Sequence, residues 1–283
     1  MQRPQTVLSA ASTAVLATAL LLAGCVALVA GPVTTADLPA ELRRLGPARV
    51  LLLGEQHDAD AHQALEHGTV THLAAQGRLA ALVLEMAERG THTRDLPREA
   101  SEAQVMAQLR WNEDGWPWAR YGPSVMAAVR AGVVVLGGNQ PRAEMRAAMA
   151  DTSLDGRLAP EALARQQDLI RAGHCDLLPA HQLAPMARIQ IARDRAMADA
   201  VAEAVASAVE GQVVMLVAGA EHVRRGLGVP AHLSAPLAAS TRVVVMQAGA
   251  PGRPGDGEAD RLWLTPATPP VDHCAELRQR WRR

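Results

Sequence analysis

The 283-residue sequence has no phenylalanine, no lysine and one tyrosine, and its formal net charge is only -1. The missing aromatics exclude an aromatic cage and leave Tyr121 as the one phenolate the chain can offer. A pI near 6.8 gives no strong field of either sign, which excludes nucleic acid as a partner. All 28 basic side chains are arginine, a bias that codon usage in a GC-rich genome explains more simply than selection does. There are three cysteines, and no internal repeat or low-complexity tract stands out.

What is present begins at the N-terminus. Arg3, an apolar run from Ala14 to Leu22 and small residues before Cys25 have the layout of a bacterial export signal. Leu21-Leu22-Ala23-Gly24-Cys25 reads as a lipobox, with cleavage before Cys25 and lipidation of its thiol. The apolar run is shorter than the roughly 20 residues that span a bilayer. Residues 1–24 are therefore expected to be a signal peptide and 25–47 a lipidated linker. The remainder would lie on the periplasmic side, held by more than one acyl chain. Val26, where aspartate is the usual inner-membrane retention signal, favours the outer membrane. An oxidising compartment permits a disulfide between Cys175 and Cys274; two free buried thiols are the equal alternative.

Short Val- and Leu-rich runs recur at 49–53, 80–84, 132–136, 212–217 and 242–246, with a further one at 261–264. Continuous apolar runs of this length read as strands buried on both faces. Helical segments are predicted at 60–76, 124–130 and 142–150, so the alternation predicts a three-layer α/β fold with a mostly parallel sheet flanked by helices. Residues 91–123, with three tryptophans, and 157–205, with Pro179 and Pro185 as interruptions, are expected to pack together as a smaller helical lobe. The domain would cover 48–270, followed by a loose tail, 271–283. Gly249 to Gly257 reads as a surface loop.

Ligands of open α/β sheets bind beyond the carboxyl ends of the strands. The first strand runs into Gly54-Glu55-Gln56-His57-Asp58, the second ends in Glu85-Met86, the third in Gly137-Gly138-Asn139, and a later one in Gly219-Ala220-Glu221-His222. Gly-x-x-His thus occurs twice at strand ends. His57, His222, Glu55 and Glu85 form a plausible site for a divalent metal; the competing reading is a structural polar cluster. Tryptophans 111, 116 and 118 either line a pocket for a flat ligand or simply pack. Ile189, Arg193 and Met197 share one helical stripe, where the arginine could meet an anion or run its stem to solvent. His62, His67 and His72 are five apart and read as surface residues. His174, Cys175 and His181 are too irregular for a metal pattern.

Taken in order, Gly54 to Asp58, Leu84-Glu85-Met86, Trp116 to Tyr121, Asn139 before Pro141-Arg142, the helix with Gln190, Arg193, Asp194 and Met197, and Gly219-x-x-His222 through Gly228-Val229-Pro230 resemble the ChaN family of haem-binding lipoproteins. The resemblance covers about residues 48 to 270. It implies an α/β core with a helical lobe, a homodimer, and haem held between subunits by a tyrosine ligand in the service of iron uptake. On this chain it points to Tyr121 as iron ligand, Arg193 as propionate partner, and Asn139 and Met197 beside them. Where the family commonly has another tyrosine the chain reads Asp260-Arg261-Leu262-Trp263, which leaves histidine or methionine as the other ligand types. The paired Gly-x-x-His motifs also resemble the wider Tiki and TraB group, which includes metal-dependent peptidases. A metal-dependent hydrolase and a non-catalytic binding scaffold are therefore the rival readings.

Overall fold

The structure, a computed structural model, describes residues 31–250 and 257–281. Its elements run α1 (Leu38–Leu45), β1 (Val50–Glu55), α2 (Asp60–Ala75), β2 (Leu79–Glu88), α3 (Glu102–Gln108), α4 (Trp118–Ala131), β3 (Val134–Asn139), α5 (Met145–Ala150), α6 (Pro160–Gly173) and α7 (Ala180–Ser207). They continue with β4 (Val213–Gly219), α8 (Ala220–Val223), α9 (Ala235–Ala239), β5 (Thr241–Ala248), β6 (Arg261–Thr265) and α10 (His273–Trp281). All six strands pair in parallel in the order β3-β2-β4-β1-β5-β6. Each arises from one of the apolar runs, because β-branched and leucine side chains suit strands covered on both faces.

The two faces have separate cores. Leu51, Leu53, Leu82 and Leu84 point to the layer made by α1, α2, α3 and α4. Leu52, Val83, Val214 and Leu216 point to the layer dominated by α7. This is the expected three-layer α/β fold.

The smaller helical part is built from α5, α6 and the first turns of α7, with apolar clusters of its own around Ile191 and Leu183. Residues 91–123 do not belong to it. Val105, Leu109, Trp118 and Tyr121 pack on the opposite face of the sheet, so the two segments expected to pack together lie on different layers.

Prolines also stop less than their positions suggest. Helix α4 begins six residues before the predicted start and passes through Pro123, because the Glu113 carboxyl accepts the Trp118 backbone N–H (3.0 Å) and holds the first turn. Pro185 lies inside α7, whose Leu183 and Ala187 are buried on either side of it.

Both chain ends are better attached than predicted. Residues from Val33 onward are not a linker: the Val33 N–H donates to the Leu264 carbonyl (2.7 Å), and Leu38 and Leu45 belong to the core. The tail is not loose, because a Cys175–Cys274 disulfide ties α10 to the turn between α6 and α7. The described residues from Pro32 onward cluster as one compact unit. The signal sequence, Cys25 and most of the 249–257 loop lie outside the described residues.

Candidate functional site

Strands β1 and β4 are neighbours in register, with Glu55 opposite Gly219. The two Gly-x-x-His motifs are therefore brought together at one rim, as expected for two strand ends of a parallel sheet. The missing side chain of Gly219 is needed there, since a Cβ would lie 2.9 Å from the His57 Nε2.

Two carboxyl groups organise the rim. Glu55, at the end of β1, accepts hydrogen bonds on Oε1 from Tyr121 Oη (2.9 Å) and His57 Nδ1 (2.7 Å), and a short one on Oε2 from Gln63. Glu85, in β2, pairs closely with Arg193 and accepts the Gly219 backbone N–H (2.6 Å). His222 Nε2 lies 3.5 Å and His57 Nε2 3.9 Å from its two oxygens. Burial alone would raise the Glu85 carboxyl, but His222, then Arg193 and His57, outweigh it and hold it down at about 2.

The histidines answer in the opposite direction. Burial would lower His57, yet Glu55 and Glu85 raise it above its ordinary value. His222, 6% exposed, donates from Nδ1 to Asp194 (2.6 Å) and is likewise raised by Glu85 and Asp194 against the effect of burial. Asn139 braces the arrangement by accepting from Arg193 Nε (2.9 Å) and donating to the Glu85 carbonyl (2.8 Å). Next to Glu55, Glu66 is pushed well above its ordinary value by burial and by the Glu55 charge, which favours its protonated form.

Above this polar floor opens a cavity of about 560 Å³, within the size range of small-molecule sites. His57, with 40% of its side chain exposed, and Arg193 line it on one side. Trp116 stands edge-on to the His57 ring at 4.8 Å. The other wall is one face of α6, where Gln166, Leu169, Ile170, Gly173 and His174 follow each other at helical spacing. The 91–123 segment and the helical part thus face each other across the cavity.

Several expected site residues sit elsewhere. Tyr121 is 1% exposed and belongs to the α2–α4 core. Burial, then the Glu55 charge and hydrogen bond, push its phenol far above the ordinary value, so it is a neutral donor to Glu55 and not an accessible phenolate. Met197 is fully buried under Gly138 in the α7 core and does not reach the cavity. Of the three tryptophans only Trp116 lines the cavity; Trp111 and Trp118 pack against each other edge-on.

His62 is buried, not a surface residue. Its Nδ1 accepts the Gln56 N–H (2.9 Å), its Nε2 meets Thr265 Oγ1 (3.0 Å), and burial lowers it to about 4. His57, His222, Glu55 and Glu85 do meet at the rim. However, the carboxyl oxygens are taken up by Tyr121, Gln63, Arg193, Gly219 and the imidazoles themselves. Among the described residues no group of three or more such side chains is set to hold a metal ion.

Comparison with known proteins adds the following. A family model described as haem-binding uptake, Tiki superfamily, ChaN matches residues 42–233. No curated protein matches. ChaN of Campylobacter jejuni, solved with cofacial haem, is similar at 23% identity with a TM-score of 0.59, over 78% of this chain and 91% of that one. The type III effector HopBA1 aligns at 13% identity and a TM-score of 0.40, over 78% and 88% of the two chains. A Bacillus cereus protein aligns at 13% and 0.45, over 76% and 70%.

Proposed function

The chain belongs to the ChaN haem-binding uptake family of the Tiki superfamily, and from that premise we propose that it binds haem in the cavity at the carboxyl rim of its sheet. The observation that carries this reading is the division of the cavity. Leu169, Ile170 and Trp116 give it an apolar side, while Arg193 and His57 stand at its polar foot. A tetrapyrrole is a flat apolar ring bearing carboxylates at one edge, and it needs both kinds of surface.

When bound, haem supplies an iron centre with coordination positions open to a protein side chain. The chain's own residues do the rest. The α6 face and Trp116 withdraw apolar ring surface from water, at roughly 25 cal/mol per Å² buried. Arg193 is fixed by Glu85 and Asn139, and His57 by Glu55, so both present donors with little ordering left to lose. Titrating haem into the full-length protein should shift and saturate the Soret band; no shift at any haem concentration rejects the proposal.

The finer reading is a periplasm-facing lipoprotein, anchored through Cys25 in the outer membrane and acting in haem or iron uptake. The Cys175–Cys274 disulfide supports an oxidising compartment. Acyl-chain labelling that survives Cys25→Ser would reject the anchor. The open side of the cavity supports closure by a second copy, so haem should convert monomer to homodimer in sedimentation.

A further inference from the structure

We propose that His174 is the iron ligand of this chain, in place of the tyrosine that the family resemblance implies. The inference rests on the haem-binding reading above and names the residue that would carry it.

Most imidazole nitrogens around the cavity are already engaged. His57 Nδ1 is committed to Glu55, and its Nε2 sits over Gly219 beside Glu85. His222 is buried, held by Asp194 at one nitrogen and facing Glu85 with the other. Both imidazoles thus turn their second nitrogen toward the Glu85 carboxyl (3.9 Å and 3.5 Å) and not out into the cavity. Tyr121 and Met197 are buried in opposite cores.

His174 differs from all of these. Its Nδ1 donates to the Ile170 carbonyl at 2.8 Å, one helical turn back, and no hydrogen bond within the described residues engages its Nε2. That bond fixes the tautomer: the proton is on Nδ1 and the lone pair on Nε2, as a neutral imidazole ligand requires. The ring stands at the end of the α6 face that forms the apolar wall. Beside it Gly173 is exposed, and a Cβ there would meet nothing within 4 Å, so a flat ring can lie against the helix without a side chain in the way.

The backbone holds this position firmly. Cys175 and Asp176, directly after His174, both adopt left-handed conformations (φ 56° and 57°), and Cys175 is bonded to Cys274 of α10. Two consecutive non-glycine residues in that region are unfavourable and persist only where surrounding structure over-determines them. Here they turn the chain back at the cavity and leave the imidazole at its edge.

The test is a haem titration of the full-length protein read by absorbance, and by resonance Raman of the ferrous form for an iron–imidazole stretch. Wild-type protein is expected to show that stretch. In His174→Ala it should be lost and affinity should fall roughly tenfold or more, with the spectrum restored by added imidazole. Tyr121→Phe should retain it, and so should the haem that His57→Ala still binds, at the lower affinity expected from loss of a donor at the polar foot. Circular dichroism confirms that each variant is folded, and His174→Gln serves if the alanine variant is not. The assignment is overturned if the iron–imidazole stretch survives in His174→Ala, if haem still bound by His57→Ala lacks it, or if a phenolate band is lost in Tyr121→Phe. In each of these cases haem binding itself stands. If wild-type protein shows no Soret shift, the haem reading falls and the ligand with it.

Discussion

Glu85 concentrates the electrostatics of the site in one side chain. It is buried with Arg193, His222, His57 and the Gly219 N–H around it. Its carboxyl is held at about 2 against an ordinary 4.5, so its contribution to stability is complete above pH 4.5 and is lost as pH falls through 2. His57 and His222 are raised above 6.5, so their contribution is complete below pH 6.5 and is lost as pH rises through their folded values. The difference in urea-unfolding stability between wild type and Glu85→Gln, which separates this cluster from the shifts of His62 and Glu66, should therefore be largest between pH 4.5 and 6.5 and shrink on both flanks. An unchanged profile in that variant would remove Glu85 from its central place. Arg193→Ala leaves the buried carboxyl without its closest ion-pair partner and should cost about 3–5 kcal/mol. Most of that loss should be recovered in the double variant with Glu85→Gln, since the penalty belongs to the unpaired charge.

At the level of elements, strand β2 outruns β3, with a register shift between Leu84 and Glu88, and the crowding falls on Gly137. A Cβ there would lie 2.0 Å from the Glu88 carbonyl oxygen, a backbone atom that cannot turn aside. Gly137→Ala should therefore destabilise by about 1–3 kcal/mol or more, seen as a lower denaturation midpoint with the slope unchanged. The strands themselves were legible because Val- and Leu-rich runs with no polar alternation have few other uses, and the rim followed because parallel strands end together. Side-chain depth was harder to see. Tyr121 reads as available beside Trp116, yet it shares a stripe with Trp118, Val125 and Ala128 that is the core face of α4. His62 shares such a stripe with Leu65, Glu66, Thr69 and Leu73 on α2. Counting by three and four along these helices would have found both. The same count along α6 gives Gln166, Leu169, Ile170, Gly173 and His174, a stripe the irregular His174-Cys175-x-x-x-x-x-His181 spacing concealed.

For the whole molecule, the contact that joins the sequence's far end to the site is the Cys175–Cys274 bond, which closes a loop across 99 residues. Cross-linking a loop that long restricts the unfolded chain, and bonds of this kind typically stabilise by about 2–4 kcal/mol. Cys274→Ser should lower the unfolding free energy by that amount in buffer without reductant. Thiol alkylation of the denatured wild-type protein should label neither Cys175 nor Cys274. The effect should extend to the cavity: with α10 released, the left-handed turn at Cys175 and Asp176 loses its covalent support, and His174 loses the backbone that fixes it. Haem affinity should then fall in Cys274→Ser although the serine lies in α10, outside the cavity lining. A variant with reduced stability and unchanged affinity would confine the disulfide to a structural role. A variant equal to wild type in both would mean that the bond is not formed in the protein, and the support it gives to an oxidising compartment would go with it.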